Sequence, residues 1–163
     1  MVDTRIHTPQ VGEQAPDFTL NDTERQPISL HDYRGQTVVL VFFPAAFSSV
    51  CTKEVCAFRD SLAQLNRSNV QVLGISVDLP YSLREFRRAQ NLNFPLLSDF
   101  DRVAISDYGV VDNSFNGYVT GVARRSVFVV DPNGAVAWEW LADSPGQQPD
   151  YTEVLRVAEG QGG

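Results

Sequence analysis

The chain of 163 residues has the length of one ordinary domain, and its 43% apolar and 20% charged residues are the balance of a folded soluble protein, not of a disordered or membrane-embedded one. A net charge of -7 repels nucleic-acid phosphates and anionic lipid, and no basic stripe with interleaved aromatics offsets it, so nucleic acid and membrane are excluded as expected partners. Met1 to Gln10 lacks the basic-then-apolar pattern of a secretory signal, and no apolar run approaches membrane-spanning length, so a cytoplasmic protein is expected.

No repeat or linker divides the sequence, and a single domain over residues 1–163 is expected, with the glycine-rich residues 160–163 as a frayed tail. In chain order, Ala15 to Leu20 reads as a short edge strand after Pro16, and Ile28 to Leu30 as a brief extended piece before a turn at Gly35. Thr37 to Phe43, TVVLVFF, is an unbroken apolar run of β-branched and aromatic residues, which suits a central strand covered on both faces. From Thr52 to Asn66 the apolar Val55, Phe58, Leu62 and Leu65 recur at helical spacing. Val70 to Val77 is strand-like, Pro80 opens a helix to about Gln90, Phe94 to Asp99 is a short strand, and Val103 to Tyr108 a helical turn. Arg125 to Asp131 and Ala135 to Trp140 form a hairpin around Pro132-Asn133-Gly134, and a last helix spans Asp150 to Ala158. Early crossovers require parallel neighbours and the hairpin antiparallel ones, so the fold class is α/β, with a mixed central sheet flanked by helices in an order similar to the thioredoxin-like fold.

Two cysteines, Cys51 and Cys56, are too few for a disulfide scaffold and lack the companions of a zinc site. Cys51 falls where the apolar strand hands over to the helix. Free N–H groups and the positive end of the helix dipole stabilise a thiolate there, which raises the fraction of sulfur able to attack. Alone, a cysteine in an apolar setting is more often a small buried hydrophobe. Pro44, Ser48 and Cys51 together, spaced P-x-x-x-S-x-x-C, shift that balance: Pro44 stiffens the loop, and the Ser48 hydroxyl can donate to and accept from a bound peroxide.

This pattern resembles the active-site motif of the peroxiredoxin family, the AhpC/TSA superfamily. The resemblance extends to VGEQAPDFTL near the start, to GISVD and FPLLSD, and to GVARRSVFVVD, which aligns the family's active-site arginine with Arg125 and leaves Arg124 as a solvated surface charge. It implies that Cys51 attacks the terminal peroxide oxygen and becomes a sulfenic acid, with no metal, flavin or other cofactor. Arg125, the Ser48 hydroxyl and the N–H groups of Val50 and Cys51 would then hold the shifting charge. Glu54 matches a family position that holds the arginine; a first-turn acid favoured by the helix dipole is the equal alternative.

The C-x4-C spacing of Cys51 and Cys56 resembles the bacterioferritin-comigratory, or Q-type, members, in which the second cysteine resolves the first. FFPAAF and GVARRSVFVVD are more similar to E-type members. In a continuous helix, Cα atoms of residues i and i+5 lie roughly 8 to 9 Å apart, too far for a disulfide, so pairing requires the first turns to unwind. Core packing is the competing role for Cys56. By resemblance, thioredoxin or glutaredoxin would return the thiols, and Phe47 would contribute to a homodimer contact, with ordinary loop packing as the equal alternative. The rival functions are a redox sensor passing oxidation to a partner protein and a thiol-disulfide oxidoreductase. The second relies on C-x-x-C, which is absent. His7 and His31 read as surface residues, Asp99 and Asp101 as caps in preference to metal ligands, and Trp138 and Trp140 as sharing one sheet face.

Overall fold

A computed structural model of the chain describes residues 7–65 and 69–161; the side chains of residues 62–65, and so the expected packing of Leu62 and Leu65, lie outside the described set. The strands are β1 (Thr19–Asp22), β2 (Pro27–Ser29), β3 (Thr37–Phe42), β4 (Val70–Ser76), β5 (Leu96–Ser98), β6 (Val111–Asp112), β7 (Val122–Ala123), β8 (Ser126–Val130) and β9 (Val136–Leu141). The α-helices are α1 (Ser49–Leu65), α2 (Pro80–Ala89), α3 (Val103–Asp107) and α4 (Tyr151–Gln161), and a 3₁₀ turn spans Leu30–Tyr33. Seven strands form one sheet in the order β2-β1-β5-β4-β3-β8-β9, with β3, β4 and β5 parallel and the remaining pairs antiparallel.

The apolar run of β3 is buried throughout because both faces are covered. Its pleat sends Val38, Leu40 and Phe42 to one core, with Leu73, Ile75, Tyr108 and Phe128. Val39 and Val41 go to the other, where Phe43, Cys51, Val55, Phe58, Phe86 and Val154 gather under α1, α2 and α4. Trp138 and Trp140 of β9 both pack against this second cluster. The hairpin turn closes at Gly134, whose φ of +91° is left-handed backbone that a side chain would strain. Asp99 accepts the N–H groups of Ala104 and Ile105 at 3.0 and 2.8 Å, so it caps α3.

Several boundaries differ from those the sequence predicts. The first strand begins at Thr19, beyond Ala15: the Ala15 N–H donates to Gly134 O, and Gln14 bridges Ala135. Helix α1 starts at Ser49 instead of Thr52, because Ser48 O already accepts the Thr52 N–H at 2.9 Å; apolar periodicity, which begins only at Val55, cannot see that first turn. The two-residue strands β6 and β7 pair in a separate small sheet that no pattern predicted, being too short to show a period. Helix α4 takes in Gly160 and Gln161, which composition assigned to a frayed tail, because backbone bonding and not composition ends a helix; residues 162–163 lie outside the described set.

Candidate active site

The β3–α1 loop is pinned along its length. Pro44 is buried at its start, Ala46 N–H donates to Asp78 Oδ2 at 2.9 Å, and Ser48 Oγ donates to Ala45 O at 3.0 Å. Phe47 adopts φ +68°, uncommon for an aromatic residue, and lays its ring 5.0 Å from that of Phe86 while remaining 53% exposed. The loop delivers Cys51 as the third residue of α1, fully buried against the strands. At that position its own N–H, like that of Val50, belongs to the helix-end donors without an intrahelical acceptor. The Ser48 hydroxyl, expected to be free for a ligand, spends its proton on Ala45 and retains its acceptor lone pairs.

Arg125 immediately precedes β8, and the pairing of Ser126 with Phe42 sets it beside the end of β3, where the cysteine loop begins. Its Nη2 donates to Cys51 Sγ at 3.1 Å, its Nη1 to Glu54 Oε1 at 2.9 Å, and its Nε to Pro145 O at 3.3 Å. Arg125 is 2% exposed and Glu54 not at all, so the three groups form a buried triad in which the guanidinium bridges sulfur and carboxylate. Burial acts against the charge on Arg125, but Glu54 and the Cys51 sulfur more than offset it, and its pKa rises above the usual arginine range. Sequence reasoning left Glu54 balanced between a dipole-favoured acid and a partner of Arg125; the structure gives it no exposure and the second contact.

Glu54 sits at a cost to the fold. Burial outweighs the attraction of Arg125 and raises its carboxyl from the ordinary 4.5 to about 7, and its Oε2 has no hydrogen-bond partner. Below pH 4.5 the group is protonated in folded and unfolded chains alike and costs nothing. Between 4.5 and about 7 the unfolded chain releases the proton while the fold retains it, so stability falls by about 3 kcal/mol, and the loss is complete above pH 7. Urea unfolding at pH 5 and pH 8 should therefore show a steeper decline for wild type than for Glu54→Gln, whose amide stays neutral. Parallel declines would contradict the assignment.

Two cavities meet at Arg125 and Pro145. The larger, about 390 Å³, is lined by Pro44, Asn113, Ser114 and Arg124 among others, and the smaller, about 160 Å³, by Ser48, Val50, Phe115 and Asn116. Arg124, expected to be a solvated charge, instead donates through Nε to Ala142 O at 2.7 Å and is half-buried in the cavity wall. Residues 113–116 escaped sequence reasoning, since a polar loop without a motif carries no signal that it folds over a site.

Cys56 lies outside this triad. It is a free thiol, as is Cys51, half-buried, and donates to Gln90 Oε1 at 3.4 Å. With α1 unbroken from Ser49 to Leu65, the two sulfurs are attached to different faces of one helix. The histidines are elsewhere: His7 pairs with Glu13 and His31 with Asp17, each at 2.7 Å on the surface.

The AhpC/TSA family model matches residues 11–139. Peroxiredoxin Bcp of Escherichia coli K12 is 37% identical over 128 residues, covering 78% of this chain and 82% of that protein. A relative from Mycobacterium tuberculosis H37Rv is 45% identical over 127 residues, covering 77% of this chain and 80% of its own length. Among solved structures, peroxidoxin BcpB from M. tuberculosis aligns with a TM-score of 0.81 at 28% identity, covering 94% of this chain and 98% of that one. A peroxiredoxin-like protein from Aquifex aeolicus aligns with a TM-score of 0.87 at 26% identity, covering 95% of this chain and 89% of that one. The sheet is thioredoxin-like, as in these neighbours, with a cysteine at the start of its first long helix and an arginine on the sulfur, and the relatives and the family model make the chain a thiol-dependent peroxidase. The chain belongs to the AhpC/TSA family, the peroxiredoxins. Its substrates are peroxides and its electrons come from a thiol reductant. Among the described residues, no helix is long and apolar enough to cross a membrane.

Proposed function

We propose that Cys51 is the peroxidatic nucleophile through which this chain reduces hydrogen peroxide and organic hydroperoxides, as a cytoplasmic antioxidant enzyme. The observation that supports this most strongly is the 3.1 Å contact from Arg125 Nη2 to Cys51 Sγ, within a pair of residues that Glu54 holds in place. The Cys51 thiolate attacks the terminal peroxide oxygen; an S–O bond forms, the O–O bond breaks, and the leaving oxygen takes a proton from water to become water or an alcohol. Negative charge moves from sulfur to the leaving oxygen. The Arg125 guanidinium and the Val50 and Cys51 N–H groups are the donors positioned to follow it; the Ser48 hydroxyl, whose proton goes to Ala45 O, offers a lone pair to the hydrogen of the peroxide, and Pro44 walls the site and removes a competing donor.

Cys56 then attacks the Cys51 sulfenic acid: the S–S bond forms, the S–O bond breaks, and water leaves with the thiol proton. The first turns of α1 unwind for this step, since the helix separates the two sulfurs. A dithiol protein, thioredoxin or glutaredoxin, reduces the disulfide by exchange. The exposed Phe47 ring at the edge of the site is our candidate for a homodimer contact. Mass analysis of peroxide-treated protein without reductant is expected to show a Cys51–Cys56 disulfide. A lasting sulfenic acid on Cys51 beside a free Cys56 would remove Cys56 from the mechanism.

A further inference from the structure

Cys56 and Arg59 stand one turn apart on α1 and both reach residue Gln90 at the end of α2. The Cys56 thiol donates to the Gln90 side-chain oxygen at 3.4 Å, and Arg59 Nη1 donates to the Gln90 main-chain oxygen at 2.7 Å. That main-chain oxygen is one of the carbonyls a helix leaves unpaired at its C-terminus, so Arg59 satisfies a group that would otherwise need water. A third link runs the other way, from Asn93 Nδ2 to Arg59 O at 3.2 Å. Gln90 itself is fixed, its N–H bonded to Phe86 O at 3.1 Å. These bonds fasten the turn of α1 that carries Cys56 to the C-terminal end of α2 and the segment just after it, and that turn must come loose for Cys56 to meet Cys51.

We infer that Gln90, seated by Arg59, is a positioning residue for the second half of the reaction: it latches the Cys56 turn in the folded helix and sets the rate at which the sulfenic acid on Cys51 is converted to a disulfide. This rests on the reading of Cys56 as the resolving thiol. The latch is balanced by design of its chemistry, because a thiol is a weak donor and its bond to an amide oxygen is easily given up, whereas the Arg59 bond is charge-assisted and keeps Gln90 waiting for its return. The step keeps its atom balance: the Cys56 proton and the sulfenic hydroxyl leave together as water, and no further oxidant is drawn upon. Peroxide attack on Cys51 does not involve Gln90, so the latch acts on the second step and leaves the first alone.

Rapid mixing of reduced protein with one equivalent of hydrogen peroxide, acid quenching and mass analysis separates the two steps. For Gln90→Ala, disulfide formation should run roughly two- to threefold faster than in wild type, the lower end of the range for one lost hydrogen bond because the donor is a thiol, with peroxide consumption in the first step unchanged. Gln90→Glu keeps an acceptor for the thiol and should form the disulfide no faster than wild type. Hydrogen exchange of the α1 amides around Cys56 should accelerate in Gln90→Ala and not in Gln90→Glu. If wild type forms no Cys51–Cys56 disulfide, the resolving role itself falls and takes this proposal with it. If the disulfide forms in wild type and Gln90→Ala matches its rate, the resolving role stands and the latch alone is overturned.

Discussion

Cys51→Ser should reduce peroxide consumption to the uncatalysed background, a loss on the order of 10⁴-fold or more, as expected when the one nucleophile of a covalent mechanism is removed. A serine hydroxyl in the same place is almost wholly protonated at neutral pH and is a poor nucleophile toward oxygen. The Arg125 N–H that lies 3.1 Å from the Cys51 sulfur would then meet a neutral hydroxyl in place of the nucleophile. The side chain is fully buried and the substitution nearly isosteric, so unfolding by urea should show a folded protein, and the loss is chemical. A coupled assay with thioredoxin and hydrogen peroxide measures it. Residual turnover carried by Cys56 would appear as activity that disappears in the double serine variant.

Arg125→Met has the next largest effect, and it has two parts. Removing a donor aimed at developing charge costs on the order of 10² to 10³ in rate. The same change strands Glu54, whose Oε1 loses its partner at 2.9 Å and whose Oε2 has none to begin with. Breaking a buried ion pair from one side costs about 3 to 5 kcal/mol, so the single variant should also unfold at lower urea. Pairing the change with Glu54→Gln separates the parts. The double variant should recover most of the stability and none of the rate. A double variant that recovers both would reduce Arg125 to a structural role, and a single variant with near-normal turnover would remove it from the chemistry. Arg125→Lys should fall close to Arg125→Met in rate, because one ammonium cannot span sulfur, carboxylate and the Pro145 carbonyl as the planar guanidinium does.

What the sequence made legible was local. The P-x-x-x-S-x-x-C spacing from Pro44 to Cys51 lies within one loop and one helical turn, and the TVVLVFF run needs only its own composition to read as a buried strand. The parallel β3–β4–β5 order followed from alternation of strands and helices. The arginine was harder. Arg125 lies 74 residues from Cys51 and Glu54 lies 71 residues from Arg125, and nothing in composition joins such positions. Only the family resemblance selected Arg125 over Arg124. The physical reason is that the register of Ser126 against Phe42 sets Arg125 beside the start of the cysteine loop, while Arg124 bonds to Ala142 O.

Contacts made by residues without a motif were not legible at all. Gln90 reaches Cys56 across 34 residues from the end of another helix, and residues 113–116 line the cavities from a loop whose two short strands show no period. Arg59 did carry a signal, standing three residues after Cys56 on the same helix face in CAFRD. The early start of α1 has a similar lesson. Ser48 caps the helix through its main-chain carbonyl, which leaves the apolar pattern untouched and moves Cys51 from the threshold into the first turn.

In the proposed mechanism, oxygen from peroxide lands on Cys51 and nowhere else. Reduced Cys56→Ser protein, mixed with one equivalent of hydrogen peroxide and trapped with dimedone, gives the direct measurement by peptide mass analysis. One adduct per chain, confined to the peptide that contains Cys51 and matching the peroxide consumed, is the predicted result. Peroxide consumed at the wild-type initial rate with Cys51 unmodified would contradict it.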